Sequence, residues 1–168
     1  MIEKAKILGE KLGLEAHPEG GFYKETYRSK EVIIQGSLAA NFEGERNCCT
    51  GIYFLLTSET FSAFHRIKQD EMWHFYQGSP LLLHTLGPAG DYRCTEIGAD
   101  VINGQHPQFV VEAGTWFGAT VKNPDDYSLV GCTVSPGFDF RDFELAKRES
   151  LIDLFPNHSK IISSLTRE

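Results

Sequence analysis

Basic residues are in short supply in this chain. Sixteen Lys and Arg stand against 23 Asp and Glu, a formal charge of −7 over 168 residues. A surface of that sign repels phosphate backbones and anionic lipids, so neither a nucleic-acid partner nor a membrane is expected. Long apolar runs are also missing: Ile52-Tyr53-Phe54-Leu55-Leu56 is one of the longest, against the roughly 20 residues that a membrane-spanning helix requires. Charged Glu3, Lys4 and Lys6 fall where an export signal needs an apolar stretch, so a cytoplasmic location is expected. No Gly-rich phosphate loop occurs, which argues against P-loop or Rossmann nucleotide chemistry. The four cysteines, Cys48, Cys49, Cys94 and Cys132, form no C-x-x-C pair. That leaves a zinc ribbon or thioredoxin-type site without support and makes buried, reduced thiols the plain expectation. Asn157-His158-Ser159 matches a glycosylation sequon only by chance if the chain is not exported.

What the chain does have is a dense series of short strand patterns. Ile2, Ala5, Leu8 and Leu12 first recur at helical spacing, and Gly13 provides a stop, predicting a helix over residues 1–13. A loop of turn formers, Glu15 to Gly21, follows. Strands are then expected near 22–28, 32–40, 47–57, 61–67, 71–76, 81–86, 92–97, 107–111, 115–121 and 127–134. Turns such as Leu86-Gly87-Pro88-Ala89-Gly90-Asp91 and Asn123-Pro124-Asp125-Asp126 separate them. This many strands at this spacing predict an all-β sandwich or barrel over 20–134. Beyond Ser135-Pro136-Gly137 the pattern turns helical over 138–168. Asp142 is the expected cap of a helix carrying Phe143, Leu145, Ala146, Leu151 and Leu154, and Ile161, Ile162 and Leu165 mark a last turn or two. With no repeat or long linker, the 168 residues are read as a single domain.

The chemistry concentrates between Phe61 and Leu81. Alternation in a strand puts His65 and Ile67 on one face, and Glu71, Trp73 and Phe75 on one face of the next strand. If those faces coincide, a histidine and a carboxylate meet inside an aromatic barrel, where low dielectric shifts both pKa values. These residues resemble the first motif of the cupin superfamily, His-x-His, a short spacer, Glu, six residues, Gly: Glu71 is followed by six residues and Gly78. The second motif, Pro-x-Gly, two residues, His, is matched by Glu112-Ala113-Gly114-Thr115-Trp116-Phe117. The resemblance implies four metal-ligand places. His65 and Glu71 fill two; Ile67 and Phe117 stand in the others. Two ligands hold a transition metal poorly. His74 has the wrong strand parity to replace the missing ones, and His84 lies on another strand. No metal and no cofactor are therefore expected.

Nearly the whole chain also resembles the small cupin family called "cupin five". The carriers are Pro18-Glu19-Gly20-Gly21-Phe22-Tyr23-Lys24-Glu25-Thr26-Tyr27-Arg28, then Phe64-His65-Arg66-Ile67, Asp70-Glu71-Met72-Trp73-His74, and Gly131 to Glu144. The resemblance implies a jelly-roll β-barrel and a homodimer. Gly21-Phe22-Tyr23-Lys24-Glu25 and the inner-strand His65 are in addition similar to deoxysugar-nucleotide epimerases of the superfamily. That likeness implies an Asp to orient the histidine and a Tyr as proton donor. Tyr127, Asp139 and Tyr76 are candidates by residue type.

The expected function is binding of a small polar or cyclic molecule in the barrel. It extends to metal-independent isomerase or epimerase chemistry, with His65 taking a proton beside a carbonyl and Glu71 fixing its tautomer. Phe22, Glu25, Arg28, Trp73, Tyr76 and Phe117 are the expected substrate-binding residues. Arg28 suits an anionic group, and 12 Phe, 6 Tyr and 2 Trp supply ring faces. A non-catalytic binding barrel and a metal-dependent cupin enzyme are the competing readings. Nothing in the sequence names the ligand.

Overall fold

A computed structural model describes residues 2–167. In chain order the elements are α1 (Ile2–Leu12), β1 (Glu15–Ala16), β2 (Phe22–Arg28), β3 (Val32–Ile33), β4 (Arg46–Asn47), β5 (Thr50–Thr57), β6 (Ser62–Arg66), β7 (Asp70–Gly78), β8 (Leu81–Leu86), β9 (Tyr92–Ile97), β10 (Gln108–Val111), β11 (Trp116–Val121), β12 (Tyr127–Ser135), β13 (Glu144–Leu145), α2 (Arg148–Leu154) and α3 (Ser159–Ser164). The strands form a six-stranded sheet in the order β1-β2-β5-β12-β7-β10 and a five-stranded sheet in the order β13-β6-β11-β8-β9; β3 and β4 pair as a small ribbon. All strand pairs within the two large sheets are antiparallel. The result is a cupin-type jelly-roll barrel with helices at both ends of the chain.

Strand parity sorts the side chains into three cores. Phe54 and Leu56 of β5, Trp73 of β7, Leu83 of β8, Phe117 of β11 and Val130 of β12 fill the barrel. Leu55, one residue out of phase, joins Leu129 and Tyr127 beneath α1 on the outside of the larger sheet. On the outside of the smaller sheet, Phe64, Leu86 and Trp116 pack against Leu151, Ile162 and Leu165 of the C-terminal helices. Each fully buried side chain of this size contributes about 1.5–3 kcal/mol of transfer free energy, so the appended helices stabilise the sheets they cover.

Two expected elements differ. Residues 32–40 are not a strand: only Val32–Ile33 pair, and a short 3₁₀ turn follows at Gln35–Ser37. Gly36 within that turn breaks the run of apolar residues that suggested a strand. Asp142 does not cap a helix; α2 begins six residues later, at Arg148. The Asp142 carboxylate is drawn instead to buried Arg46, whose Nε and Nη2 each donate to it at 2.7 Å. Gln69 Nε2 donates to it as well, at 2.7 Å, and Lys68 lies 3.7 Å away. A carboxylate that satisfies a buried guanidinium is not free to cap backbone N–H groups. The cysteines differ too: Cys132 is buried, Cys48 and Cys49 are half-buried and Cys94 is exposed. No helix among the described residues is long and apolar enough to cross a membrane.

The Arg46–Asp142 pair ties the segment 136–143, which runs over one end of the barrel, to the strand pair beneath. Removing one partner leaves a buried uncompensated charge, which costs about 3–5 kcal/mol. Asp142→Ala is expected to lower the unfolding free energy by that amount in urea titrations. Glu144→Ala, which breaks the exposed pair with Arg66, is expected to cost less than about 1 kcal/mol in the same assay.

Candidate active site

Glu19, read as part of a turn, is the organising residue of the site. Gly20 and Gly21 both adopt positive φ (116° and 72°), a region open to glycine and strained for other residues. A Cβ on Gly20 would collide with the Phe61 carbonyl. This tight crossing folds the loop against β6 and buries the Glu19 carboxylate. Ser62 Oγ donates to its Oε1 at 2.8 Å, and its Oε2 lies 2.8 Å from His65 Nε2. On the far side of the ring, His65 Nδ1–H donates to the Ala63 carbonyl at 2.7 Å. A carbonyl oxygen only accepts, so Nδ1 carries a proton, and Nε2 faces a carboxylate. Burial works against charge on both groups, but each holds the other ionised: the pKa of His65 lies above its ordinary value and that of Glu19 below. The arrangement is a buried imidazolium–carboxylate pair, with Phe117 4.1 Å and Phe143 5.3 Å from the histidine ring centre.

Glu71 is buried in the same interior and electrostatically coupled to both members of that pair. It takes no part in orienting His65; Ala63 and Glu19 do that. Its neighbour is Cys132 of β12. Glu71 registers against Val134, and Cys132, two residues away, shares its face. The Cys132 thiol is held protonated, its pKa raised well above normal by burial and then by Glu71. Burial pushes Glu71 up to about 7. It is thus the one carboxyl among the described residues placed to exchange a proton near neutral pH from inside the barrel.

Two hollows share walls here. A mouth of about 710 Å³ is lined by His17, Tyr23, Glu25, Arg28, Phe138, Phe140 and their neighbours. Below it, a recess of about 40 Å³ is walled by Glu19, Glu71, Trp73 and Cys132. His17, Thr50, Ile52 and Phe138 border both. The ring of His17 meets Tyr23 edge-on at 4.6 Å and lies parallel to Phe140 at 6.1 Å. Its Nδ1 lies 3.3 Å from the Glu19 backbone N and 3.5 Å from the Glu19 carboxylate. Burial lowers its pKa, so the neutral ring persists.

The sequence-predicted residues divide accordingly. Glu71 and Trp73 border the recess, and Phe117 packs on His65 in the interior. Glu25 and Arg28 reach the mouth, where Arg28 donates to Glu25 at 2.9 and 2.7 Å, to Asn47 Oδ1 and to the Phe138 carbonyl. Arg28 thus latches the covering segment and is already paired. Phe22 does not reach the mouth: it lines an apolar groove beside α1 on the outside. Tyr76 is half exposed on the outer face, where it lies against Gly131 and Tyr53, and it borders neither hollow. Of the other candidates by type, Tyr127 is buried under α1, and Asp139 lines the mouth but is ion-paired with Arg141. The tyrosine at the mouth is Tyr23. Parity could have found it, since Tyr23 and Glu25 alternate together while Phe22 falls out of phase. Glu19 and His17 lie in a loop, where no alternation reveals facing.

The cupin fold implies a metal, and the donor set here does not fit one. Ile67 and Phe117 are buried apolar residues, and neither ring nitrogen of His65 is free. His74 points outward to Thr133 and Gln108. His84 bonds Tyr92 and Thr120, away from the hollows, and burial lowers its pKa to about 4.

A family model described as cupin superfamily (DUF985) matches residues 7–146. The chain belongs to that family. An uncharacterised protein of Saccharomyces cerevisiae is 30% identical over 79% of this chain and 70% of its own. A hypothetical protein from Leishmania major superposes with a TM-score of 0.87 at 37% identity, over 98% of this chain and 99% of that one. A Shewanella oneidensis protein gives 0.85 at 40% identity, over 97% of each chain. Oxalate decarboxylase from Bacillus subtilis shares the fold alone, with a TM-score of 0.54 at 12% identity, covering 89% of this chain and 36% of that one. The DUF985 cupin described here keeps the superfamily barrel, with a protein-borne ion pair and a titrating carboxyl at its centre.

Two measurements check this electrostatic arrangement. The folded protein retains the Glu71 proton up to about pH 7, whereas the unfolded chain releases it near 4.5. Wild-type stability therefore falls as pH rises through that window. Glu71→Gln removes the penalty and is expected to gain about 3 kcal/mol at pH 8, from 1.36 kcal/mol per pKa unit, and nothing near pH 4; thermal melts across pH read this out. His65 and Glu19 respond to pH in directions opposite to each other. The His65 contribution is complete below pH 6.5 and lost as pH rises through its higher folded value; the Glu19 contribution is complete above 4.5 and lost as pH falls through its lower one. Glu19→Gln is expected to drop the His65 pKa below 6.5, measured by the NMR titration of its ring.

Proposed function

We propose that this barrel binds a small polar or cyclic molecule at its mouth and moves a proton on it as a metal-independent isomerase or epimerase. The single observation that carries the reading is the Glu71 carboxyl, buried, bordering a recess that shares walls with the mouth, its pKa pushed by burial up to about 7. A general acid–base works best when its pKa sits near the operating pH.

In this reading Glu71, as carboxylate, takes a proton from the carbon beside a carbonyl. The C–H electron pair becomes the double bond of an enolate, and the carbonyl oxygen takes the charge. Neutral His17, as its Nε2–H tautomer, donates to that oxygen, and the His65 imidazolium supplies a fixed positive field from behind Glu19. Return of the proton from Glu71 restores the substrate. Delivery to the opposite face by Tyr23 gives the epimer, and exchange with solvent then resets both groups. No oxidant, reductant or second substrate is consumed. His65, with both nitrogens engaged, acts here as a positioning charge rather than as the base.

The test is solvent exchange. In D₂O, the wild type incubated with a panel of keto sugars and nucleotide sugars is expected to incorporate deuterium at the carbon beside the carbonyl, followed by NMR. Glu71→Gln should slow incorporation by at least about 10²-fold, and the wild-type rate should rise with pH through about 7. Compounds that bind, seen as a thermal shift, but never exchange would make this a binding barrel and end the catalytic reading.

A further inference from the structure

An antiparallel sheet with one solvent face carries polar and charged residues on that face. The outer face of the larger sheet departs from this. Tyr27, Gly51, Thr133, Met72 and Val110 fall in one register row across β2, β5, β12, β7 and β10, and Lys24, Tyr53, Gly131, His74 and Gln108 form the next. α1 covers the row beyond, at Leu55 and Leu129, and leaves these two rows open. Neither row holds an Asp or Glu, in a chain that has 23 of them. The one lysine turns away, its Nζ beside Gly13 at the end of α1. The polar side chains bond one another: His74 is held between the Thr133 hydroxyl and the Gln108 amide at 3.0 and 3.2 Å. What is left in the open is apolar or aromatic. Tyr27 is 57% exposed, Tyr76 50%, Val110 40% and Met72 37%. Asp70 and Glu112 stand at the rim, two residues beyond Met72 and Val110 along the chain.

We propose that this face is the interface of a two-fold homodimer, in which the larger sheets of two copies pack against each other. Charge selects the occupant. Copies that each carry −7 repel, and they approach most readily through a surface free of carboxylates, as this one is. A charged partner of another kind would need fixed charges opposite it, and the two rows supply none. Shape agrees. A two-fold interface must fit itself, and here Tyr27 and Met72 stand out as knobs while Gly51, in the same row, leaves a hollow. Glycine inside a strand often marks a place where another surface comes close. Nothing within the chain demands it at position 51: its φ is not positive, and a Cβ there would meet no atom nearer than 3.8 Å. Size agrees as well. Five strands about 4.8 Å apart, with two open rows and Tyr76 beyond them, make a face of roughly 25 by 20 Å. Its accessible surface, with side-chain relief, is on the order of the 800 Å² per partner of a standard interface. A charge-poor centre bearing Tyr and Met, inside a polar rim, is also the usual make-up of such a surface. The dimer is independent of the acid–base reading of Glu71.

Sedimentation equilibrium of the full chain over a concentration series tests the interface. The wild type is expected to form a reversible dimer whose affinity rises with salt, as repulsion between like-charged copies is screened. Met72→Glu puts a carboxylate in the middle of the face and, by symmetry, two into every dimer. It is expected to weaken association at least about 100-fold. Tyr27→Glu, at a more exposed position on the edge strand β2, is the second variant and should act in the same direction. Leu154→Glu is the control. Leu154 is 64% exposed on α2, which packs on the smaller sheet at the opposite side of the barrel, and its substitution should leave the dimer unchanged. Melting transitions verify that each variant is folded. A wild type that stays monomeric up to its solubility limit would overturn the proposal and leave the face to a different partner. A dimer unaffected by both Met72→Glu and Tyr27→Glu would overturn it too, as would one that weakens as salt rises, the mark of a charge-paired interface elsewhere.

Discussion

A buried ion pair between His65 and Glu19 sets the electrostatics of this barrel. Both charges are removed from water, and such a pair survives only where geometry and extra hydrogen bonds offset desolvation. Here Ser62 and Ala63 supply those bonds, and the Gly20-Gly21 crossing supplies the geometry. Everything else in the interior responds to it. Glu71 senses a positive and a negative neighbour at once, and burial then decides in favour of its neutral form. Cys132 stays a thiol because the carboxyl beside it and its own burial both oppose the thiolate. His17 stays neutral because burial outweighs the pull of Glu19.

The sandwich was legible because the strands obey period-2 alternation and their turns carry Gly, Pro and Asn. Alternation puts Glu71 and Trp73 on one face of their strand; the cupin resemblance supplies the inward places of His65 and Phe117. Register within a sheet also follows, since a slip of one residue would turn Phe54 and Leu56 outward. What alternation cannot read is a loop. The partner of His65 comes from a turn whose glycines take positive φ, and the sequence says only that a turn is there. Pairing His65 with Glu71 was therefore a sound inference from parity that missed a nearer carboxylate from outside the strands.

A similar limit applies to Asp142. A lone Asp ahead of an apolar helical pattern reads as a cap, because local bonding is all that sequence displays. In the fold, Arg46, 96 residues away, competes for the same oxygens and wins. Tyr76 and Phe22 illustrate a third limit. Aromatic type and proximity to a motif pointed to the pocket, but each lies out of phase with its inward neighbours, and phase outranks type.

The strand order has a consequence for biosynthesis. β12 lies between β5 and β7 in the middle of the larger sheet, yet it is made after both. A nascent chain that has emerged only as far as Asp126 holds two strands whose shared neighbour does not yet exist. Their exposed edges are the kind of surface on which chains associate wrongly. Barrel closure must then wait until late in translation, and chaperone engagement would matter most in that interval.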